Sequence, residues 1–492
     1  MCGDKMRCYI KQKILDSCNI LMQNVKLFQA HSGQTITEAI YQNLCDYQNM
    51  FVELGEYIEK NCTEKKFLVQ KLEWSCECLY RISQTDLDIN LLNDIEENIS
   101  FIRNNILDEK TDKILIYFLP YKAAMWDCFE SIWECAKDDE RCKVKIMPIP
   151  YIEKASGRVI CELDQFDSDI PLIDYRLVKL EEVHPDIIYI HNPYDQANKV
   201  TSVVENYFSA ELKKCTEKLV YVPYYLSSMY RNEQRLIEKA CLPGSINSDI
   251  VILQSQVQKD IYKKYGIDCE KYFVAGSPKT DAVIKYIESN NKETVKKEWG
   301  IDGEKVVMLN TSITYFLNKE KWGEILFEIL RIIDEKDITL LWRPHPLLEA
   351  TMKAMNREGY KEYKKALAYA ADKNKIYVDY SPNPLKAILI SDALISDYSS
   401  LVVQYYLTGK PIYSLDGIRK CVQDSILIFN YYDVYLKSEG ITVEQYIDMI
   451  LENNDYKKNI RLERIKEYPM LMDGMAGERI HKYVLKYFTC RS

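Results

Sequence analysis

LLWRPHP at 340–346 and ALISDYSSLVVQYYLTGKPI at 393–412 share one pattern. In each, an apolar run that reads as a buried parallel strand ends in a burst of polar residues, and a helical pattern follows. In a parallel α/β sheet, ligands gather at the carboxyl ends of strands and the amino ends of the helices that follow. Here those ends carry Arg343, His345, Asp397, Tyr398, Ser399 and Ser400. Two positive-capable side chains beside a hydroxyl-rich helix start suit a pyrophosphate. Hydroxyls and free N–H groups at a helix start receive anionic oxygens, and a guanidinium grips them in pairs. The expectation is an enzyme that holds a nucleotide diphosphate.

Around these stretches, strands alternate with helices. DIVILQS (249–255), KYFVAGSPKTDAVIKYI (271–287), KVVMLNTS (305–312), the helical EKWGEILFEILRIID (320–334) and KIYVDYSP (375–382) form one series. An earlier series holds the strands DKILIYFLP (112–120), KVKIMPIPY (143–151), DIIYIHNPYD (186–195) and KLVYVPYY (218–225), with a helix over AAMWDCFESIWECAKDD (123–139). CLPGSINSD (241–249) clusters turn residues and reads as the linker between the series. Before 108 the pattern is purely helical. Ile36, Ile40, Leu44, Tyr47, Phe51, Leu54 and Ile58 recur at spacings of three and four, as do Leu92, Ile95, Ile99, Ile102 and Ile106. The expected organisation is α/β: a helical module over 1–107, a Rossmann-like domain over 108–245, and a second over 246–492 that ends in helices. The helical module has no catalytic cluster, and a structural or homo-oligomerisation role is expected of it. Whether the helical tail at 442–490 packs back on the first domain is not decided by the pattern.

A chain of 492 residues is too long for one core, and a formal charge of −9 argues against general nucleic-acid binding. The start, MCGDKMRCYIKQK, has no apolar core of a secretory leader, and no run of eighteen apolar residues occurs, so no transmembrane helix is expected. The sixteen cysteines are scattered, as reduced thiols of a cytoplasmic protein would be. No CxxC pair exists, and of Cys128, Cys135 and Cys142, spaced by seven, the first two lie on one helix pattern and read as core positions, so neither a metal nor a cofactor is expected.

GSPKTD (276–281) is a further turn of interest. Gly276 permits a tight bend, Pro278 sets the entry of a helix, and Ser277 and Lys279 lie at its start. It reads equally as a phosphate-facing loop and as a plain turn. Thr311 and Ser312 end another strand and could donate hydroxyls to the same phosphates. Nothing matches a P-loop or a G-x-G-x-x-G fingerprint, which weakens ATPase and dehydrogenase readings.

Taken in order, GSPKTD, WRPHP and ISDYSSLVVQYYLTGKPI resemble the CDP-glycerol glycerophosphotransferase family, the teichoic-acid polymerases and primases, over roughly 248–415. The resemblance implies a GT-B fold of two Rossmann-like domains, with Arg343, His345, Ser399 and Ser400 beside the donor diphosphate. It implies transfer of glycerol phosphate or ribitol phosphate from a CDP-alcohol to a hydroxyl of a membrane-linked or glycan acceptor, with release of CMP. It places the protein in the cytoplasm, with peripheral contact at the inner face of the cell membrane. Asp397, Gly276, Ser277, Lys279, Thr311 and Ser312 complete the expected substrate-binding set.

Two positions depart from the family pattern. Typical members carry a Trp-His-Gly segment late in the first domain whose histidine is the base, whereas the corresponding strand here reads KLVYVPYYLSS. His191 is the expected substitute base, followed by Asp195 and Asp127. Gln404 stands where members have an acid. Rival readings are a glycosyltransferase or UDP-sugar epimerase on the same fold, and a nucleotide-binding relative without catalysis.

Overall fold

The computed structural model describes residues 5–62, 64–226, 233–267, 270–345, 348–381, 383–397, 399–415, 434–467 and 471–488. Two compact units form. One is centred on the segment up to Leu115, with short contributions from 140–143 and the chain beyond Val484; the other comprises Ile116–Asp139 and Val144–Tyr483.

In the first unit, the apolar stripes form four helices: α1 (Cys8–Ala30), α2 (Glu38–Asn61), α3 (Lys66–Gln84) and α4 (Ile89–Leu107). Each buries one stripe, so that α1 packs on α2 and α4, and α3 on the same two. Ile14, Phe51, Leu54, Ile58, Leu72, Ile95, Ile99 and Ile102 fill the core. Thr37 caps α2 by accepting the Ile40 N–H, and Asp88 caps α4 by accepting from Asn90. At the other end of α4, Lys11 Nζ donates to the Leu107 and Glu109 carbonyls at 2.7 Å each, a cation against the carbonyl end of the helix dipole.

The second unit holds two parallel sheets. Its strands, with the neighbouring end of the first unit, are β1 (Ile114–Leu119), β2 (Cys142–Ile146), β3 (Tyr151–Glu153), β4 (Val159–Ile160), β5 (Ile187–Ile190), β6 (Thr201–Val203), β7 (Lys218–Tyr221), β8 (Ile250–Leu253), β9 (Tyr272–Val274), β10 (Val306–Thr311), β11 (Thr339–Pro344), β12 (Ile376–Val378), β13 (Ala393–Ser396), β14 (Ile412–Ser414) and β15 (Tyr435–Leu436). One sheet runs β2-β1-β5-β7-β8-β9 and the other β12-β11-β10-β13-β14-β15, while β4-β3-β6 is a small antiparallel flap. The central strand β10 is buried along its whole length. Val307 and Leu309 face one core cluster and Val306 and Met308 the other, as a sheet covered by helices on both faces requires. The second unit is thus a GT-B type α/β architecture, and the first is a helical module.

Three expectations change. The boundary expected at 245/246 is not where the sheets divide, because β8 and β9 hydrogen-bond in the first sheet. The CLPGSINSD stretch is no linker: residues Pro243–Asn247 form a helical turn between β7 and β8. Its glycine serves close packing, since a Cβ on Gly244 would lie 2.7 Å from Pro193 Cα. The helix expected over 123–139 is a 3₁₀ turn at Ala123–Cys128 followed by a helix at Glu130–Asp138. The tail divides, with its helix Val443–Leu451 packed on the helix Trp322–Glu335 beside the second sheet. The helix Ala476–Leu485 returns to the first sheet, where Gly477 N–H donates to Asp281 and Tyr483 stacks on Phe273 at 3.8 Å.

Candidate functional site

The second sheet reverses its winding direction between β10 and β13. Such a switch point splays the two following loops apart and leaves a crevice at the carboxyl ends. In register, Asn310 sits between Arg343 on β11 and Ser396 on β13. Its Nδ2 donates to Ser396 Oγ at 2.9 Å and to Ser399 Oγ at 3.0 Å. Ser312 N–H donates to Asp397 Oδ1 at 3.0 Å, and Ser312 Oγ donates to the other carboxylate oxygen. Ser312 also caps the helix Ile313–Asn318, and Ser399 is the residue before the helix Ser400–Tyr406. Two helix starts therefore flank the crevice, held together by Asn310 and Asp397. The side chain of Ser400, like Tyr398, lies outside the described residues. Thr311 is buried and its hydroxyl accepts from Trp342 Nε1 at 3.3 Å, so it faces the core side of β11.

Arg343 differs from its expected role. Its guanidinium is buried against Asp379, and it donates to Ser381 Oγ at 3.0 Å and to the Ser381 carbonyl at 2.6 Å. The fork that was expected to grip phosphate holds the loop after β12 instead. His345 is exposed, and its N–H donates to the Thr311 carbonyl at 3.0 Å. Although the ring is open to solvent, crowding by neighbouring protein atoms lowers its pKa by desolvation, and Lys122 adds in the same direction. A ring shifted this way is neutral at pH 7 and offers a hydrogen bond, not a charge.

GSPKTD is the crossover between the two sheets. It follows β9 of the first and begins the helix Pro278–Ser289. Gly276 has φ +90°, and a Cβ there would lie 2.5 Å from the Leu471 carbonyl oxygen. Ser277 is buried, and among the described residues its hydroxyl has no hydrogen-bond partner. Lys279 reaches across to Asp127, donating to both carboxylate oxygens at 2.6 Å with both groups nearly buried. The Gln404 amide donates to the same Asp127 at 3.4 Å. An acid at 404 would face Asp127 directly, and the neutral amide avoids that repulsion.

The three expected bases have structural partners. His191, at the end of β5, is fully buried among Tyr121, Phe129 and Tyr224. Its Nε2 accepts the Tyr121 N–H at 2.9 Å, so the proton sits on Nδ1, which faces Cys128 Sγ at 3.2 Å. Burial pushes its pKa down to about 3, with Lys279 adding to the shift and a Met125 backbone hydrogen bond opposing it. Both nitrogens are engaged within the fold and the ring is fully buried, which gives His191 a structural place instead of the expected catalytic one. Asp195 likewise anchors a helix start: it accepts Ser209 N–H at 3.0 Å and Ser209 Oγ–H at 2.7 Å. Asp127 is the one of the three at the boundary between the sheets, and there it belongs to Lys279.

Residue reading of the sequence missed Asn310, Asp379, Ser381 and Glu130. Asn310 carried a signal, two positions before Ser312 on the same strand end. Glu130 stands one turn after Asp127, at the first position of the helix that follows the 3₁₀ turn, and shares a pocket with it.

Two doubly wound sheets bridged by a crossover helix, with polar switch-point residues on the second, define a GT-B type fold. Residues 228–486, more than half of the chain, match the CDP-glycerol:poly(glycerophosphate) glycerophosphotransferase family, and the chain belongs to it. It is 26% identical over 230 residues to the teichoic acid ribitol-phosphate polymerase TarL of Staphylococcus aureus, covering 44% of this chain and 37% of that one. With the TarK polymerase of the same organism it shares 24% identity over 231 residues, covering 44% and 41%. The chain thus spans well under half the length of the curated relatives it matches. A UDP-N-acetylglucosamine 2-epimerase crystal structure shares the fold, at 13% identity and TM-score 0.50, over 77% of this chain and 97% of that one. Among the described residues, no helix is long and apolar enough to cross a membrane.

Proposed function

We propose that this protein transfers glycerol phosphate or ribitol phosphate from a CDP-alcohol to a hydroxyl of a membrane-linked or glycan acceptor, releasing CMP, in the synthesis of a cell-wall or surface polymer. The observation that carries this reading is the Asn310–Ser312–Asp397–Ser399 cluster at the switch point, inside the region that matches the family. The acceptor oxygen attacks the β-phosphorus, and the bond to the bridging oxygen of CMP breaks. Charge develops on the phosphoryl oxygens and on the leaving phosphate, where preorganised donors lower the barrier most. Ser312, Ser399, the N–H groups of the two helix starts and His345 would supply those donors. Arg343 would act one step back, holding the loop after β12 through Asp379 and Ser381. Lys279, expected to bind substrate, would instead tie the halves of the cleft through Asp127. On this reading the protein works in the cytoplasm at the inner membrane face, where a lipid-linked acceptor is presented.

A thermal-shift panel of CDP-glycerol, CDP-ribitol, UDP-sugars and CMP tests the donor, because a ligand that binds only the folded state stabilises it by mass action. CDP-alcohols and CMP should raise the melting temperature more than UDP-sugars, and CMP release should follow when an acceptor polyol phosphate is added. Stabilisation by UDP-sugars alone would reject the assignment in favour of sugar-nucleotide chemistry.

A further inference from the structure

A further pocket lies against the turn that follows β1. One wall is the turn after β1, with Ala123, Trp126, Asp127 and Glu130, and the facing wall is the loop segment Gln165–Ile170. Asn383 and Pro384 close it from the second half. That closing segment is tied to β11, since Ser381 bonds both Arg343 and the Asn383 carbonyl. Lys122, next to Ala123, is close enough to His345 to shift its titration. The pocket therefore lies between the turn that follows β1 and the loop after β12, which is tied to the end of β11.

Its chemistry suits a hydroxylated ligand. Trp126 and Phe166 meet edge to face at 6.1 Å and supply apolar surface. Trp126 is itself 6% exposed, and its indole N–H has no hydrogen-bond partner among the described residues. A buried donor without an acceptor is costly, and a ligand oxygen would satisfy it. The carboxylates differ in their freedom: Asp127 is held by Lys279, whereas Glu130 makes no such pair among the described residues.

We propose that Glu130 is the general base of the transfer and that this pocket receives the hydroxyl end of the acceptor. The inference rests on the phosphotransferase reading above. Glu130 takes the proton of the acceptor O–H. The freed oxygen pair forms the new bond to the β-phosphorus, and the P–O bond to CMP breaks, its electron pair leaving with CMP. Glu130 then returns the proton to water. Burial raises the Glu130 carboxyl to about 7, with Glu134, Asp127 and Asp167 adding to the rise and Lys285 opposing it. Such a group is half ionised at working pH, where a base is most effective. The Lys279 charge is paired with Asp127.

CMP release is measured with CDP-glycerol or CDP-ribitol as donor and a glycerol-phosphate oligomer as acceptor probe, across pH 5.5–9. The parent rate should fall below a midpoint of about 7. Glu130→Gln should lose at least about 100-fold in turnover together with that acid limb, while CDP-alcohol affinity stays within twofold. Glu130→Asp, which keeps the acid on a shorter stem, should recover part of the rate and restore the limb, separating a base from a merely structural carboxyl. Parental turnover and an unchanged pH profile in Glu130→Gln would overturn this inference and leave the proposed activity standing. A parent that releases no CMP from either donor overturns both.

Discussion

Replacing His191 by glutamine tests the claim that this histidine is structural. Gln Oε1 can accept the Tyr121 N–H that Nε2 accepts in the parent, but it does not titrate. Burial holds the imidazole near a pKa of about 3, against an ordinary value of 6.5. Below pH 6.5 the unfolded chain takes up a proton that the folded protein refuses. The stabilisation is thus complete above 6.5 and is lost progressively as pH falls towards 3. At roughly 1.4 kcal/mol per pH unit, about 2 kcal/mol should be gone by pH 5. Glu130, Asp195 and Asp281 have carboxyls raised by burial and act in the opposite direction, since they bind protons earlier when folded. That contribution is common to both proteins and cancels when they are compared. Urea unfolding followed by tryptophan fluorescence, where Trp126 and Trp133 report on the first sheet, gives the stability at pH 7.5 and pH 5. The parent should lose about 2 kcal/mol more than His191→Gln over this interval. Equal losses would mean that the folded ring protonates freely, and the sealed aromatic cage would be refuted.

Other perturbations follow from the same contacts. Asp127→Asn leaves Lys279 buried without a counter-charge and should cost about 3–5 kcal/mol, part of which Asp127→Asn with Lys279→Met recovers in a double-mutant comparison by urea unfolding. Gly276→Ala forces a left-handed backbone on alanine and drives its Cβ against Leu471, so a loss of roughly 1–3 kcal/mol is expected in thermal unfolding. Ser312→Ala removes a helix cap and a partner of Asp397, lowering stability by about 1–2 kcal/mol. On the proposed reading it also lowers CDP-alcohol affinity in calorimetry, which an unrelated cap deletion would not do.

The sequence by itself determined the elements and the chemistry at their ends. Continuous apolar runs such as VVMLNT and TLLWRP can be buried on both faces, which means parallel strands, and stripes at spacings of three and four mean packed helices. The polar residues after those runs had to emerge at the carboxyl ends of the strands, where Ser312 bonds Asp397 and Asn310 bonds Ser399. Tertiary structure alone decided the partners. Strands β8 and β9 have the same local pattern as those of the second sheet, and joining the first is a matter of long-range pairing. A side chain's charge is visible in the sequence but its counter-charge is not: Lys279 lies 152 residues from Asp127, and Arg343 lies 36 from Asp379. The surroundings of His191 and Glu130 were likewise out of reach, because apolar neighbours gathered from separate elements seal the ring, while Glu130 lines a pocket that Asn383 closes from a distant loop. Burial and ion pairing depend on three-dimensional neighbours, and those are set by how the elements pack.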